Sequence, residues 1–156
     1  RRASFDSPGR HEIPLHEELE FLERYVSLQK IRFPDRLEVE WAIADETRPA
    51  LVPALVVQPL VENSIEHGLS RARGGRVRVA ARRDGDMLEI EVSDDGPGFA
   101  ADSGPDGGIG LANIRERLAL LYGTDGSLMC GGGNGGGGLV RIRLPWRVTG
   151  VGGVGP

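Results

Sequence analysis

The chain has 156 residues, enough for one compact domain with an appended helix, and 39% of them are hydrophobic, enough for a core. A net charge of -4 argues against a nucleic-acid-binding protein, which would usually be basic. The single cysteine, Cys130, excludes an internal disulfide and a zinc cluster of several cysteines, and no apolar run reaches the ~18 residues of a membrane span.

Lys30 is the only lysine and sits in no P-loop run, so that route to phosphate binding is closed. A reduced, cytosolic setting is the expectation. The arginine-led start, without Met or signal peptide, reads as an excised fragment.

Residues 1–14 read as a polar, irregular lead-in punctuated by Ser7, Pro8 and Gly9, with His11 and His16 as solvated histidines. Leu15 to Phe33 is a helix. Leu15, Leu19, Leu22, Val26 and Phe33 form an a/d seam, and Phe21, Tyr25 and Leu28 lie in a second apolar strip beside it. Glu17, Glu18 and Glu20 crowd its first turns, as the helix dipole prefers, and Pro34 stops it. Such a helix is either an ordinary core helix or half of a dimerising hairpin. The regular seam favours the hairpin.

Leu37 to Ile43 alternates as a half-buried strand, and Asp45 to Pro49 is a turn. Leu51 to Gly68 has a helical pattern, with Pro53 in its first turn and Gly68 at its end. Pro59 inside it predicts a kink or a fresh helix starting nearby. Arg71 to Gly75 is a loop. Arg76–Arg83 and Met87–Ser93 form a hairpin around Asp84-Gly85-Asp86.

A loop of about fifteen residues runs from Asp94 to Gly108, a length typical of lids and binding loops. Ile109 to Tyr122 is an amphipathic helix ended by Gly123. Ser127–Cys130 and Leu139–Leu144 are short strands. Seven of the eight residues from Gly131 to Gly138 are glycine. A strand rather than a helix follows, so the run reads as a hairpin connection and not a phosphate cradle. Thr149 to Pro156 reads as a disordered tail.

Three stretches carry chemistry. Asn63 and His67 stand four apart and share one helical face, with Glu62 and Glu66 beside them. Polar groups among Leu60, Val61 and Ile65 need partners, which Mg2+ with phosphates would supply; a plain helix-end role is the alternative. Asp94-Asp95-Gly96-Pro97-Gly98 follows a strand. Its aspartate can accept from an exocyclic amine and its glycines let backbone approach a flat ring; an ordinary Asp-Gly turn is the alternative. Gly108-Ile109-Gly110-Leu111 opens a helix whose N–H groups can bind phosphate.

Taken in order, these stretches resemble the ATP-binding domain shared by sensor histidine kinases, gyrase, the Hsp90 chaperones and MutL. The likeness is nearest to sensor histidine kinases of the LytS type. QPLVENSIEHG at Gln58–Gly68 resembles that family's N box, DDGPG at Asp94–Gly98 its first glycine box, and GIGLANIRERL at Gly108–Leu118 its second. LQKIRFPDRLEVE at Leu28–Glu40 resembles the segment joining the dimerisation hairpin to the ATPase core, so the likeness covers residues 12–147.

The resemblance implies an α+β, two-layer sandwich: a mixed, mostly antiparallel sheet with helices on one face. It divides the chain into a lead-in (1–14), a hairpin or linker helix (15–35), the catalytic domain (36–147) and a tail (148–156). It implies ATP and Mg2+ as cofactors. Asn63 would hold the ion, with Glu62 polarising its water. Asp94 would meet adenine together with the backbone near Gly96 and Gly98, and His67 would line the nucleotide edge. Gly108, Ile109, Gly110 and Leu111 would meet phosphates. Phe99 to Gly107 would be the lid.

Glu66 stands where many such kinases have lysine, so Arg71, Arg73 or Arg115 would have to supply that charge. The phosphoacceptor histidine would lie on an upstream helix, in neither His11 nor His16. The implied partners are a second subunit through the Leu15–Phe33 helix and a response regulator. The implied location is the cytosolic part of a membrane-anchored receptor. Two other functions share the fold: a nucleotide-binding module without transfer, and an anti-sigma-type serine kinase. A gyrase-like clamp would want glutamate where Pro59 stands.

Overall fold

Alternation builds the sheet in this computed structural model, which describes residues 12–69, 75–95, 108–132 and 137–148. Val77, Val79 and Ala81 of β4 (Gly75–Asp84), Leu88, Ile90 and Val92 of β5 (Met87–Asp94), and Val140, Ile142 and Leu144 of β7 (Gly138–Pro145) all point inward and are buried. Their neighbours in sequence are mostly arginine and glutamate and point out, the period-2 signature of a sheet with one dry face.

With β2 (Leu37–Ile43) and β6 (Ser127–Gly132) these strands form one five-stranded sheet in the order β2-β4-β5-β7-β6. The β2–β4 pair is parallel, with Val39 opposite Val77, and the other three pairs are antiparallel. Gly85, at φ 62°, turns the β4–β5 hairpin.

Three helices among the described residues cover the dry face: α1 (Leu15–Arg32), α2 (Val57–Leu69) and α3 (Gly108–Tyr122). The helix α2 lies on β4 and β5, α3 on β6 and β7, and α1 beside α2 and β2. One apolar core runs through all of them. The expected mixed sheet with helices on one face is what the chain forms.

Three expectations need correction. Glu12–Pro14 is not part of an irregular lead-in: it is a strand, β1, antiparallel to β3 (Leu51–Pro53). Leu51–Pro53 is therefore strand and not the start of a helix. The next helix begins at Val57, so of the two outcomes expected at Pro59 the fresh helix holds. Pro59 falls in the first turn, where an N–H has no intrahelical acceptor.

Third, the a/d seam of α1 is spent inside this chain. Leu15, Leu19, Leu22 and Val26 are buried in the common core, while Leu28 and Ile31 stay 60% and 74% exposed. A seven-residue repeat and the wider core stripe of a helix share several positions, which is why periodicity alone misassigned the face.

The N-terminal amides of α1 are met from a distance: Leu15 N–H donates to Ala50 O at 2.7 Å and His16 N–H to Arg48 O at 2.9 Å. The C-terminal end closes on β3, where Leu51 N–H donates to Arg147 O and Ala50 bridges Val148. His16 is a surface group, 3.5 Å from Glu20. His11 and the 149–156 tail lie outside the described residues.

Candidate functional site

Helix α2 presents three different flanks. Val57, Leu60, Val61, Ser64 and Ile65 are buried against the sheet. Glu62 accepts from the Gln58 side-chain amide at 3.0 Å. Glu62 and Glu66 also lie close enough to Tyr25 of α1 that, after burial itself, they help push its phenol pKa up. That flank therefore faces α1. Asn63 and His67, one helical step of about 100° further round, occupy the opposite flank, and both are half-buried.

Asp94 is the last residue of β5 and is half-buried. Its Oδ1 accepts from Gly138 N–H at 3.4 Å. The backbone of Gly137 passes so close that a Cβ there would stand 1.8 Å from Asp94 O. Gly137 thus has a packing reason: only a residue without a side chain can pass the end of β5 at that distance. Asp95 turns away, its Oδ1 accepting from Arg76 N–H at 3.1 Å.

Gly108 opens α3, followed by Ile109 and Gly110, while Leu111 is buried below. Gly110 is exposed, and a Cβ there would meet nothing within 4 Å. Glycine at such a helical position costs ~1 kcal/mol against alanine and relieves no clash among the described residues. A ligand that must approach the backbone closely is a physical reason for it. Arg115 donates to Leu128 O at 3.3 Å, which draws it toward β6. Gly96, Gly98, Arg71, Arg73 and the Phe99–Gly107 lid segment lie outside the described residues.

Asn63 and His67 stand on α2, which covers β4 and β5; Asp94 stands at the end of β5; and the start of α3 belongs to the helix that covers β6 and β7. Among the described residues no group of three or more His, Cys, Asp or Glu could hold a metal. Asn63 offers one half-buried amide oxygen, a donor that suits an ion such as Mg2+, which takes few protein oxygens and comes with its phosphates.

Two further residues hold this region. The buried Glu18 of α1 accepts from Leu55, Val57 and Gln58 N–H at the start of α2. Arg117 of α3 donates to Ala54 O at 2.6 Å and Leu55 O at 3.3 Å, in the same turn. In the sequence, Glu18 looks like any acidic residue in a first turn; Leu22 and Leu15 on its face were the available hint that it is buried.

Comparison with known proteins gives the family and the fold. Residues 50–148 match the family model described as histidine kinase-, DNA gyrase B-, and HSP90-like ATPase, and residues 1–37 match one described as histidine kinase. The chain is 34% identical over 136 residues to the sensor histidine kinase BtsS of Escherichia coli, covering 86% of this chain and 24% of that protein. It is 32% identical over 139 residues to the sensor protein LytS of Staphylococcus epidermidis, covering 81% and 24%.

It thus spans about a quarter of the length of these relatives. The catalytic domain of histidine kinase ThkA has the same fold, with a TM-score of 0.62 at 19% identity, over 86% of this chain and 94% of that one.

Proposed function

The chain belongs to the histidine kinase-, DNA gyrase B-, and HSP90-like ATPase family, and we propose that it is the ATP-binding catalytic part of a sensor histidine kinase. It would present the γ-phosphate of ATP to a histidine on an upstream helix, for relay to a response regulator. One observation supports the reading: Asp94 ends β5 on the register face of Val92, and the two helices that carry Asn63 and Gly110 cover that same face, α2 over β4 and β5 and α3 over β6 and β7. The sensor kinases among its relatives align along more than four fifths of it.

Within this reading Asp94 accepts from the adenine amine. The N–H groups of Gly108, Ile109, Gly110 and Leu111, at the positive end of α3, bind phosphate oxygens. Asn63 supplies a carbonyl oxygen to Mg2+, and His67 lines the same edge. When bound, the ion neutralises phosphate charge. Glu62 is bonded to Gln58 on the α1 side; Asn63 would hold the ion and Glu62 would polarise its water. The protein's task is positioning, since phosphoryl transfer asks little covalent chemistry of it.

No described helix is long and apolar enough to cross a membrane; membrane anchoring and a second subunit belong to the proposed full protein. Phe21, Leu28 and Ile31, the exposed apolar residues of α1, are the face a second subunit would cover.

Calorimetry with a non-hydrolysable ATP analogue and Mg2+ tests the reading. The chain should bind, Asp94→Asn should lose binding, and Asn63→Ala should lose the Mg2+-dependent part. A folded chain that ignores the analogue overturns the proposal. Transfer of phosphate to an added acceptor helix separates a kinase from a module that only binds.

A further inference from the structure

Glu18 is only 3% exposed and lies in the first turn of α1, yet its carboxylate serves α2. Its Oε1 accepts from Leu55 N–H at 2.9 Å; its Oε2 accepts from Val57 N–H at 2.8 Å and Gln58 N–H at 2.9 Å. Val57 and Gln58 N–H are amides that a starting helix leaves without partners, and Leu55 N–H belongs to the turn before it. A local Ser, Thr, Asp or Asn usually meets one of them. Here Val56 precedes the helix and has no acceptor, and a residue 37 to 40 positions away does the work. The turn it holds includes Leu55 at φ 63°, a strained conformation for leucine that persists only where surroundings enforce it.

At the other end of α2, Arg36 donates from Nη2 to Leu69 O at 2.7 Å. Arg36 stands four residues beyond the end of α1. The segment Leu15–Arg36 therefore grips α2 at both ends, with the acidic group at its start and the basic group at its finish, each the sign that end of the dipole favours. Asn63 lies midway between the two grips.

We propose that Glu18 is a positioning residue for the nucleotide site, with Arg36 as its counterpart: together they tie the place of Asn63 to the place of α1. This rests on the nucleotide reading above. A helix held by charged side chains at both termini cannot slide or turn without its strap. Displacement of α1 is then read at Asn63, and Asp94, on a different element, is left where it was.

The test compares the chain with Glu18→Ala, Glu18→Gln and Arg36→Gln. Affinities are measured for a non-hydrolysable ATP analogue with Mg2+ and for ADP in a chelator, alongside melting temperature and amide hydrogen exchange at Leu55, Val57, Gln58 and Asn63. Glu18→Ala should weaken the Mg2+ complex about tenfold or more, the scale at which groups orienting a metal ligand act. ADP without metal should bind as before. Glu18→Gln, which keeps one acceptor oxygen, should fall between.

A lower melting temperature with both affinities unchanged overturns the proposal, as does a parallel loss of both. Should Glu18→Ala not fold, the Gln variants carry the same comparison. If the unaltered chain binds no nucleotide, the functional reading has failed, and exchange decides the positioning alone: faster exchange from Leu55 through Asn63 supports it, and unchanged exchange overturns it.

Discussion

Glu18 and Glu89 are both nearly shut off from solvent, at 3% and 5% exposure, and they are bound in opposite ways. Glu89 points to the open face of the sheet. Arg82 meets it with two bonds of 3.2 Å, Arg143 with one of 2.7 Å, and Arg141 stands 3.5 Å away. Around it the same face carries Arg76–Glu38, Arg78–Glu40 and Arg141–Glu91 pairs. Glu18 points into the helical layer and meets main-chain amides.

The arginines around Glu89 can turn to water if it is lost. The amides around Glu18 cannot, because they belong to a turn and a helix start fixed by the core. A carboxylate set against side chains joins strands at small cost; one set against main chain places a whole helix.

The largest effect should come from Glu18→Ala, which leaves a buried helix start uncapped and should cost ~3 kcal/mol in urea unfolding. Glu89→Ala should cost about 1–2 kcal/mol, since its partners rehydrate. If Glu89 proves the costlier of the two, the comparison is reversed.

Acid sharpens the same contrast. Burial raises the Glu89 pKa, but bonds to Arg82 and Arg143 and the nearby charge outweigh it, so the folded value lies below the ordinary one. Its contribution is full above the unfolded-state pKa and fades as pH falls through the folded one. In Glu89→Gln, stability should therefore decline less on acidification than in the unaltered chain.

Tyr122→Phe probes a third buried carboxylate, Glu12, which accepts from the Tyr122 hydroxyl at 2.7 Å and pairs with Arg147. Burial, then Glu12, pushes that phenol pKa well up, so the bond holds through alkaline pH. Its loss should cost ~1 kcal/mol. Smallest, and opposite in sign, Leu55→Gly should relieve the left-handed strain and raise stability by ~0.5 kcal/mol, read as a higher melting temperature. A decrease would mean that the exposed leucine is used.

Much of this was legible in sequence order. The hairpin at Asp84-Gly85-Asp86, the sheet strands, α3 with its terminal Gly123 and the placing of Asn63, Asp94 and Gly110 on separate elements follow from period, proline and glycine. The boundary near Pro53 was misread because Leu51–Pro53 is strand only by pairing with Glu12–Pro14, and an edge pair of three residues has almost no local signature.

The chain by itself thus determined which elements form and which carry the polar motifs, because those signals are local: side-chain period, fixed φ at proline and free φ at glycine. Only the tertiary structure decided that the α1 seam faces inward, that the Glu62 flank of α2 turns toward α1, and that Glu18 and Arg36 hold the ends of α2. Those outcomes depend on which distant backbone groups are left needing a partner once the core has closed, and no stretch of sequence contains that information alone.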